Sequence, residues 1–289
     1  MPQNTRDIRR RIKSVQNTAK ITKAMEMVAA AKLRRVQEAV QLSKPYLAKM
    51  EAMLADLSTS AGYVKHPLLE NRPVKRTGYL VITGDRGLAG PYNANIIRLA
   101  LREFRNKDRA SYVIYAVGRR GRDFFVRHNY PIGGEVIGIP DIPTYENISA
   151  LAAQVVESYA AEEFDELYFV YNEFVNAVTQ RPTVKKVLPL SELPTKEASE
   201  GGLRAQYLYE PDPETVMKSL LPKYAQTLVY QAVLDAKASF HGAQMTAMGN
   251  ATDAANDMIG RYTLQLNRAR QAAITTQIVE VVSGAEALK

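Results

Sequence analysis

The sequence predicts an α/β protein: a long antiparallel coiled coil of N- and C-terminal helices plus a central open sheet of alternating strands and helices. Three observations carry that prediction. Glycine and proline are missing from Gln3 to Lys44, and beyond Pro222 there is no proline and glycine only at 242, 249, 260 and 284. Both end regions repeat apolar or small residues in alternating steps of four and three. The middle of the chain instead alternates β-rich runs with amphipathic ones.

The N-terminal seam runs through Ile8, Ile12, Val15, Ala19, Thr22, Glu26, Ala29, Leu33, Val36 and Val40. A matching seam runs through Met245, Met248, Thr252, Ala255, Ile259, Tyr262, Leu266, Ala269, Ala273 and Thr276. Such heptad repeats are the pattern of coiled-coil packing. Many seam residues are small, which predicts a close, thin pair. With some 150 residues between the two expected helices, pairing within one chain is economical, and it makes the helices antiparallel with both termini at the far tip. Roughly 60 to 70 helical residues reach on the order of 90 to 105 Å at the usual rise. Pro45 predicts a kink or a break in the first helix. The expected division is an N-terminal shaft helix over 1–60, a globular domain over 74–195 and a C-terminal shaft helix over 213–286.

In the middle, "GYLVIT" (78–83) reads as a strand, "GDRGLAGPYN" as a turn and "ANIIRLALREFRN" as a helix. "ASYVIYAVG" (110–118) reads as a second strand, followed by the helical "RRGRDFFVRHN". A proline-rich crossing leads to a helix in "ISALAAQVVESYAAEEF", a strand in "DELYFVYNEF" and another in "TVKKVLPL". Strands alternating with helices imply an open, Rossmann-like sheet with helices on its faces. The polar stretch from Ser191 to Pro213 reads as a loop into the last helix.

At 289 residues, with 46% hydrophobic and 24% charged residues, the composition excludes wholesale disorder. Cysteine is absent, which excludes disulfides, thiolate nucleophiles and Cys-ligated metals. No run approaches the roughly 18 to 20 apolar residues of a membrane span. The start, "MPQNTRDIRRRIK", lacks the apolar core of a secretory signal and reads as mature sequence. The net charge of +8 implies an acidic partner, and the excess is concentrated near the N-terminus. There Arg6, Arg9, Arg10, Arg11, Lys13, Lys20, Lys23, Lys32, Arg34 and Arg35 meet only Asp7 and Glu26. Three readings of this segment stay open: a solvated outer face, a contact with an acidic protein, and a nucleic-acid stripe, the last weakened by the lack of interleaved aromatics.

A glycine-containing turn between strand and helix invites a phosphate reading of "GDRGLAGPYN". Arg86 stands where a dinucleotide fingerprint needs glycine, no Lys-Ser/Thr pair follows, and Asp85 would repel phosphate. The turn therefore reads as a cap on an α/β unit. His66, His128 and His241 are scattered and predict no metal site. Glu162 and Glu163 read as a solvated helix face, and no serine sits in a nucleophile elbow. The residues predict no catalytic group, no metal and no cofactor. Near the C-terminus, Ile274, Ile278, Val281 and Ala285, widened by Val279 and Val282, make a second apolar stripe away from the seam. It reads either as an oligomerising tip or as an end housed inside another protein.

Four stretches carry a resemblance: "RRRIKSVQNTAKITKAMEMVAAAKLRR" (9–35), "GDRGLAGPYNANI" (84–96), "YLYEPDP" (207–213) and "NRARQAAITTQIVEVVSGAEAL" (267–288). Over essentially its whole length the chain resembles the gamma subunits of F-type ATP synthases, of bacterial type, since no cysteine-bearing regulatory insertion is present. The resemblance implies a non-catalytic rotary shaft inside a hexamer of alpha and beta subunits. It couples ion flow through the c-subunit ring to sequential conformational change and to ATP synthesis or hydrolysis. The α/β domain would bind the epsilon subunit and the c-ring, peripherally on the cytoplasmic face of the cell membrane, with no nucleic-acid partner. Arg270 and Gln271 match the pair that hydrogen-bonds a loop of one catalytic subunit. Lys20, Lys23 and Met25 match the region facing the acidic loop of the beta subunits. Tyr207, Tyr209 and Glu210 match the foot on the c-ring, and Ile274, Ile278, Val281 and Val282 would lie in the hexamer collar. Phe240 and Gln244 replace a usual Glu and Arg, Pro91 replaces a usual glycine, and Gly242 and Gly249 add backbone freedom. The rival readings are a scaffold coiled coil, a nucleic-acid binder and, last, an enzyme using the "GDRGLAG" turn.

Overall fold

The computed structural model describes residues 5–60, 65–190 and 209–286. Among these residues lie five α-helices and five strands: α1 (Thr5–Ser60), β1 (Thr77–Ile82), α2 (Tyr92–Phe104), β2 (Tyr112–Val117), α3 (Arg119–Arg127), β3 (Ile132–Val136), α4 (Glu146–Ala160), β4 (Glu166–Phe174), β5 (Gln180–Leu188) and α5 (Pro213–Glu286). They form two compact units, residues 1–29 with 245–289, and residues 30–244.

The first unit is a pair of helical segments. Thr22 and Thr252 bring their hydroxyls to 2.8 Å, and Glu26 lies over Gly249. Numbers rise on one helix as they fall on the other, so the pair is antiparallel. Burial follows the predicted seam: Ile8, Ala19, Ala29, Met248, Thr252 and Ala255 are buried, and Ile12, Val15, Ile259, Tyr262, Leu266 and Ala269 are half-buried. Ala273 and Thr276 depart from the prediction, because both are exposed. Facing numbers total 274 or 275, so Thr5 already meets residue 269 or 270. The described part of α1 has no side chain to offer the last two seam positions.

The second unit is built on a five-stranded sheet of order β3-β2-β1-β4-β5, with β5 antiparallel to β4 and the other pairings parallel. Every residue of β1 and β2 is buried. Their near-continuous apolar sequence is what a parallel strand covered on both faces requires. On one face Ile96, Ala100 and Phe104 of α2 and Phe125 of α3 pack on Tyr79, Val81, Tyr112 and Ile114. Phe104 stacks on Tyr112 with ring centroids 4.7 Å apart. On the other face α4 joins segments of α1 and α5 in a larger core that holds Leu54, Leu57, Val155, Tyr159, Leu221, Val229 and Val233.

Local chemistry explains the ends. Asp212 begins α5 by accepting hydrogen bonds from the Thr215 amide (2.9 Å) and hydroxyl (2.7 Å), with Pro213 next in line. An N-cap carboxylate followed by proline is a favoured start. The hairpin between β4 and β5 closes on Asn176, whose side-chain oxygen accepts from the amides of Val178 and Thr179. Pro182, Lys185 and Lys186 sit on β5, the edge strand, where proline is tolerated and lysine discourages further pairing.

The structure decides three further sequence expectations. Of the kink or break expected at Pro45, the break does not occur, because the proline lies inside α1. Met50, Leu54 and Leu57 beyond it are all buried, and that packing holds the helix together past the proline. The crossing after α3 contains an unforeseen strand, β3, because Gly133 and Gly134 dilute its β character. Glu162 and Glu163 lie past the end of α4, with Glu162 at φ 60°.

Candidate functional site

Two places concentrate unusual chemistry, one in each unit. In the helix pair, Lys23 is an exposed cation whose ammonium sits 3.1 and 3.2 Å from the two carboxylate oxygens of Glu26. Gly249 lies opposite, where a Cβ would make ordinary van der Waals contact with that carboxylate at 3.6 Å. Lys20 is exposed one turn away, and Met25 is half-buried.

Farther along the same unit, α5 continues to Glu286 with every residue from Arg270 onward exposed. This overhang is roughly 25 Å of helix at 1.5 Å per residue. Ile274, Ile278, Val281 and Val282 are 48%, 58%, 72% and 57% exposed. Steps of three and four place Ile274, Ile278, Val281 and Val282 on one face. Thr275 and Thr276 turn their hydroxyls back to the carbonyls of Gln271 and Ala272, so they add little outward polarity. A bare apolar face of this kind marks a contact surface.

In the second unit the "GDRGLAGPYN" turn lies where β1 and β2 end. Open α/β sheets take ligands at the carboxyl ends of their strands. A cavity of about 360 Å³ is found there, but the chain itself supplies the groups that reach it. Asp85 accepts from the amides of Arg119 and Gly138, both at 3.0 Å, so its carboxylate takes the place an anion would have at the start of α3. Gly118, just before that helix, has φ +89° and packs against the Thr83 carbonyl, a position only glycine fits. The Phe240 ring covers Gly84, where a Cβ would come within 2.6 Å of it.

Around the cavity lies a charged cluster. Lys237 donates to the Ile139 carbonyl at 2.8 Å and lies 4.0 Å from Asp85. Burial pulls its ammonium below the usual lysine range. Asp141 pairs with Lys32 at 2.8 Å and approaches the ring of His241 to 3.6 Å. Burial raises the Asp141 carboxyl, but the hydrogen bond and charge of Lys32 outweigh it and hold it low. His241 is 1% exposed, and burial pushes it down to about 4, so it is neutral at pH 7. Among the described residues no group of three or more acidic or histidine side chains is placed to hold a metal ion, and no helix is long and apolar enough to cross a membrane.

A family model described as ATP synthase matches residues 4–288. The gamma chain of ATP synthase from Brevibacillus brevis is 52% identical over 99% of both chains, and that of Desulfitobacterium hafniense is 48% identical over 99% of both. This chain belongs to the ATP synthase gamma chain family. Solved structures agree in fold. The central stalk and c-ring of the Tetrahymena thermophila mitochondrial ATP synthase match at 25% identity, TM-score 0.61, covering 80% of this chain and 99% of that one. A Euglena gracilis mitochondrial ATP synthase matches at 19% identity and TM-score 0.71, over 98% and 94% of the two chains.

Placed on this gamma chain, the sequence-derived site residues do not form one site. By the seam register Lys20 faces residue 254, so Arg270 lies roughly 24 Å farther along the helix pair. Arg270 and Gln271 are exposed where the overhang begins. Tyr209 packs partly buried against the large core, Glu210 is exposed, and Tyr207 lies outside the described residues. The cluster of Lys32, Asp85, Asp141 and Lys237 was not singled out in the sequence, where His241 figured only as a scattered histidine. One signal was available: Lys237 falls on the apolar side of α5 between Val233 and Phe240, where a lysine needs a partner.

Proposed function

We propose that this chain works by contact alone, as the non-catalytic central shaft of a rotary ATP synthase at the cytoplasmic face of the cell membrane. Its relatedness to gamma chains over nearly its full length carries the reading. The helix pair, roughly 1–60 with 213–286, would be the shaft gripped by the alpha and beta subunits. The α/β portion, roughly 74–195, would meet the epsilon subunit and the c-subunit ring. Each contact acts by favouring one conformation of a partner over another, which is how a ligand shifts an equilibrium without chemistry.

On this reading the exposed overhang is the end housed in the hexamer collar, with Ile274, Ile278, Val281 and Val282 as its smooth apolar face. Arg270 and Gln271 hydrogen-bond a catalytic-subunit loop, where a guanidinium can hold acceptors in pairs. Lys20, Lys23 and Met25 meet the acidic loops of the beta subunits. Tyr207, Tyr209 and Glu210 are the c-ring foot. No residue holds nucleotide: Asp85 supports this by taking the amides of Arg119 and Gly138 that a phosphate would need at the end of the sheet.

The test is reconstitution. Mixed with alpha and beta subunits, the chain is expected to co-purify with them and to rotate when ATP is added. A chain that assembles with neither subunit overturns the reading, and tight, salt-sensitive DNA binding would favour the nucleic-acid alternative. Within the working complex, Arg270→Ala with Gln271→Ala lowers ATP synthesis and rotation; parental rates in that variant remove the pair from the site.

A further inference from the structure

Over most of its course in the second unit, α5 is held by apolar side chains such as Leu221, Ala225, Val229 and Val233. Such packing is strong but has no preferred direction. Between residues 235 and 241 the character changes. Asp235 accepts from the Phe174 amide at the end of β4 (3.3 Å). The Tyr92 hydroxyl of α2 donates to the Ala236 carbonyl at 2.8 Å, and Tyr92 is buried. Lys237 reaches the Ile139 carbonyl and Asp85, beyond the ends of β3 and β1. Phe240 sits on Gly84 and against Tyr92 at 5.4 Å.

Hydrogen bonds are directional, and they weaken steeply when misaligned. In a helix of 3.6 residues per turn, the side chains at 235 and 237 project about 200° apart. These attachments therefore grip α5 from opposite flanks, and no rotation of the helix about its axis keeps them all. The site also has a socket: a side chain at Gly84 would displace Phe240.

We propose that residues 235–241 of α5 form a torsion lock, in which Lys237, Phe240 and the Ala236 carbonyl fix the helix against turning on the sheet and pass twist between the α/β domain and the shaft. Tyr92, Asp85 and Lys237 are positioning residues in this lock. The inference rests on the central-shaft reading and adds to it the place where torque crosses from sheet to helix.

The experiment uses the chain assembled with alpha and beta subunits, the hexamer fixed to a surface. The sequence has no cysteine, so Asn106→Cys, at an exposed position after α2, gives a single attachment point for a bead on the α/β domain. The readout is the angular spread of the bead while the rotor waits between steps, which reports torsional stiffness. Tyr92→Phe, Asp85→Asn and Lys237→Met are measured singly and combined. The lock predicts that the combined variant widens the spread at least 1.5-fold and each single variant widens it less. Val233→Ala, which loosens apolar packing on the same helix, leaves the spread at the parental value. A parental spread in the combined variant overturns the lock, as does equal widening by Val233→Ala. Should the combined variant fail to assemble, Lys237→Met is judged by the same direction of change. A parental chain that never rotates sinks the central-shaft reading as well, whereas a rotating parent with unchanged variants sinks the lock alone.

Discussion

The two units hold themselves together in different ways. In the α/β unit, whole strands are buried and aromatic rings interlock, so order comes from within. In the helix pair the middle of the seam is made of small or polar residues, Ala19, Thr22, Ala29, Thr252 and Ala255, and every residue of α5 from Arg270 to Glu286 is exposed. The difference shows that internal packing can define one unit of a molecule while leaving an apolar face of the other uncovered. On the central-shaft proposal, partners would cover that face.

The comparison is most easily broken at the dense end. Phe164 is fully buried, with its ring 5.8 Å from Tyr115 and 5.7 Å from Tyr159. Phe164→Ala is expected to destabilise the α/β unit by about 3 to 5 kcal/mol in denaturant unfolding. A change below about 1 kcal/mol would show that the core is not the source of order in this unit.

Acid sharpens the comparison, because His241, Asp141 and Asp235, whose titration the fold shifts, all lie in the α/β unit. His241 is pushed down to about 4, while in the unfolded chain it takes a proton below 6.5. Acidification through that window therefore favours unfolding, and below 3.8 the low carboxyl of Asp141 acts in the same direction. Asp235 is raised by burial to about 6. The stability it contributes is present below 3.8 and lost as pH rises through 6, so it opposes the histidine. In Asp235→Asn the histidine slope stands uncovered: a loss on the order of 3 kcal/mol between pH 6.5 and 4. In His241→Leu, stability should instead hold or rise as pH falls from 6 to 4. Parallel pH profiles for the two variants would contradict the assignment.

Smaller effects belong to the helix pair. Ala255 is 2% exposed on the seam, and Ala255→Leu forces the helices apart at a cost of about 1 to 3 kcal/mol. Faster hydrogen exchange confined to residues 5–29 and 245–269 is the expected reading. Least of all, Ile278→Ser should change the stability of the isolated chain by no more than about 0.5 kcal/mol. The same substitution should weaken binding to the alpha and beta subunits.

Much of this organisation was legible in the chain. The steps of four and three picked out the seam correctly from Ile8 to Ala29 and from Met248 to Ala269. They failed at Ala273 and Thr276, since a periodic pattern says which face is apolar but not where the partner helix stops. Strand β3 escaped notice because its glycines carry no side-chain signal; pairing with β2 supplies what propensity lacks. The cluster of Asp85, Asp141, Lys237 and His241 was illegible for another reason. Its members are up to 156 positions apart, and only the fold brings Asp85, Asp141 and Lys237 to one cavity, with His241 beside Asp141.

The central claim is that the end of α5 is unpartnered in the free chain and sheltered in the assembly. Amide hydrogen exchange over residues 270–286, compared between the isolated chain and the complex with alpha and beta subunits, tests it most directly. The account predicts rapid exchange when the chain is alone and strong protection in the complex. Protection already present in the isolated chain, or exchange that stays rapid in the assembled complex, would contradict it.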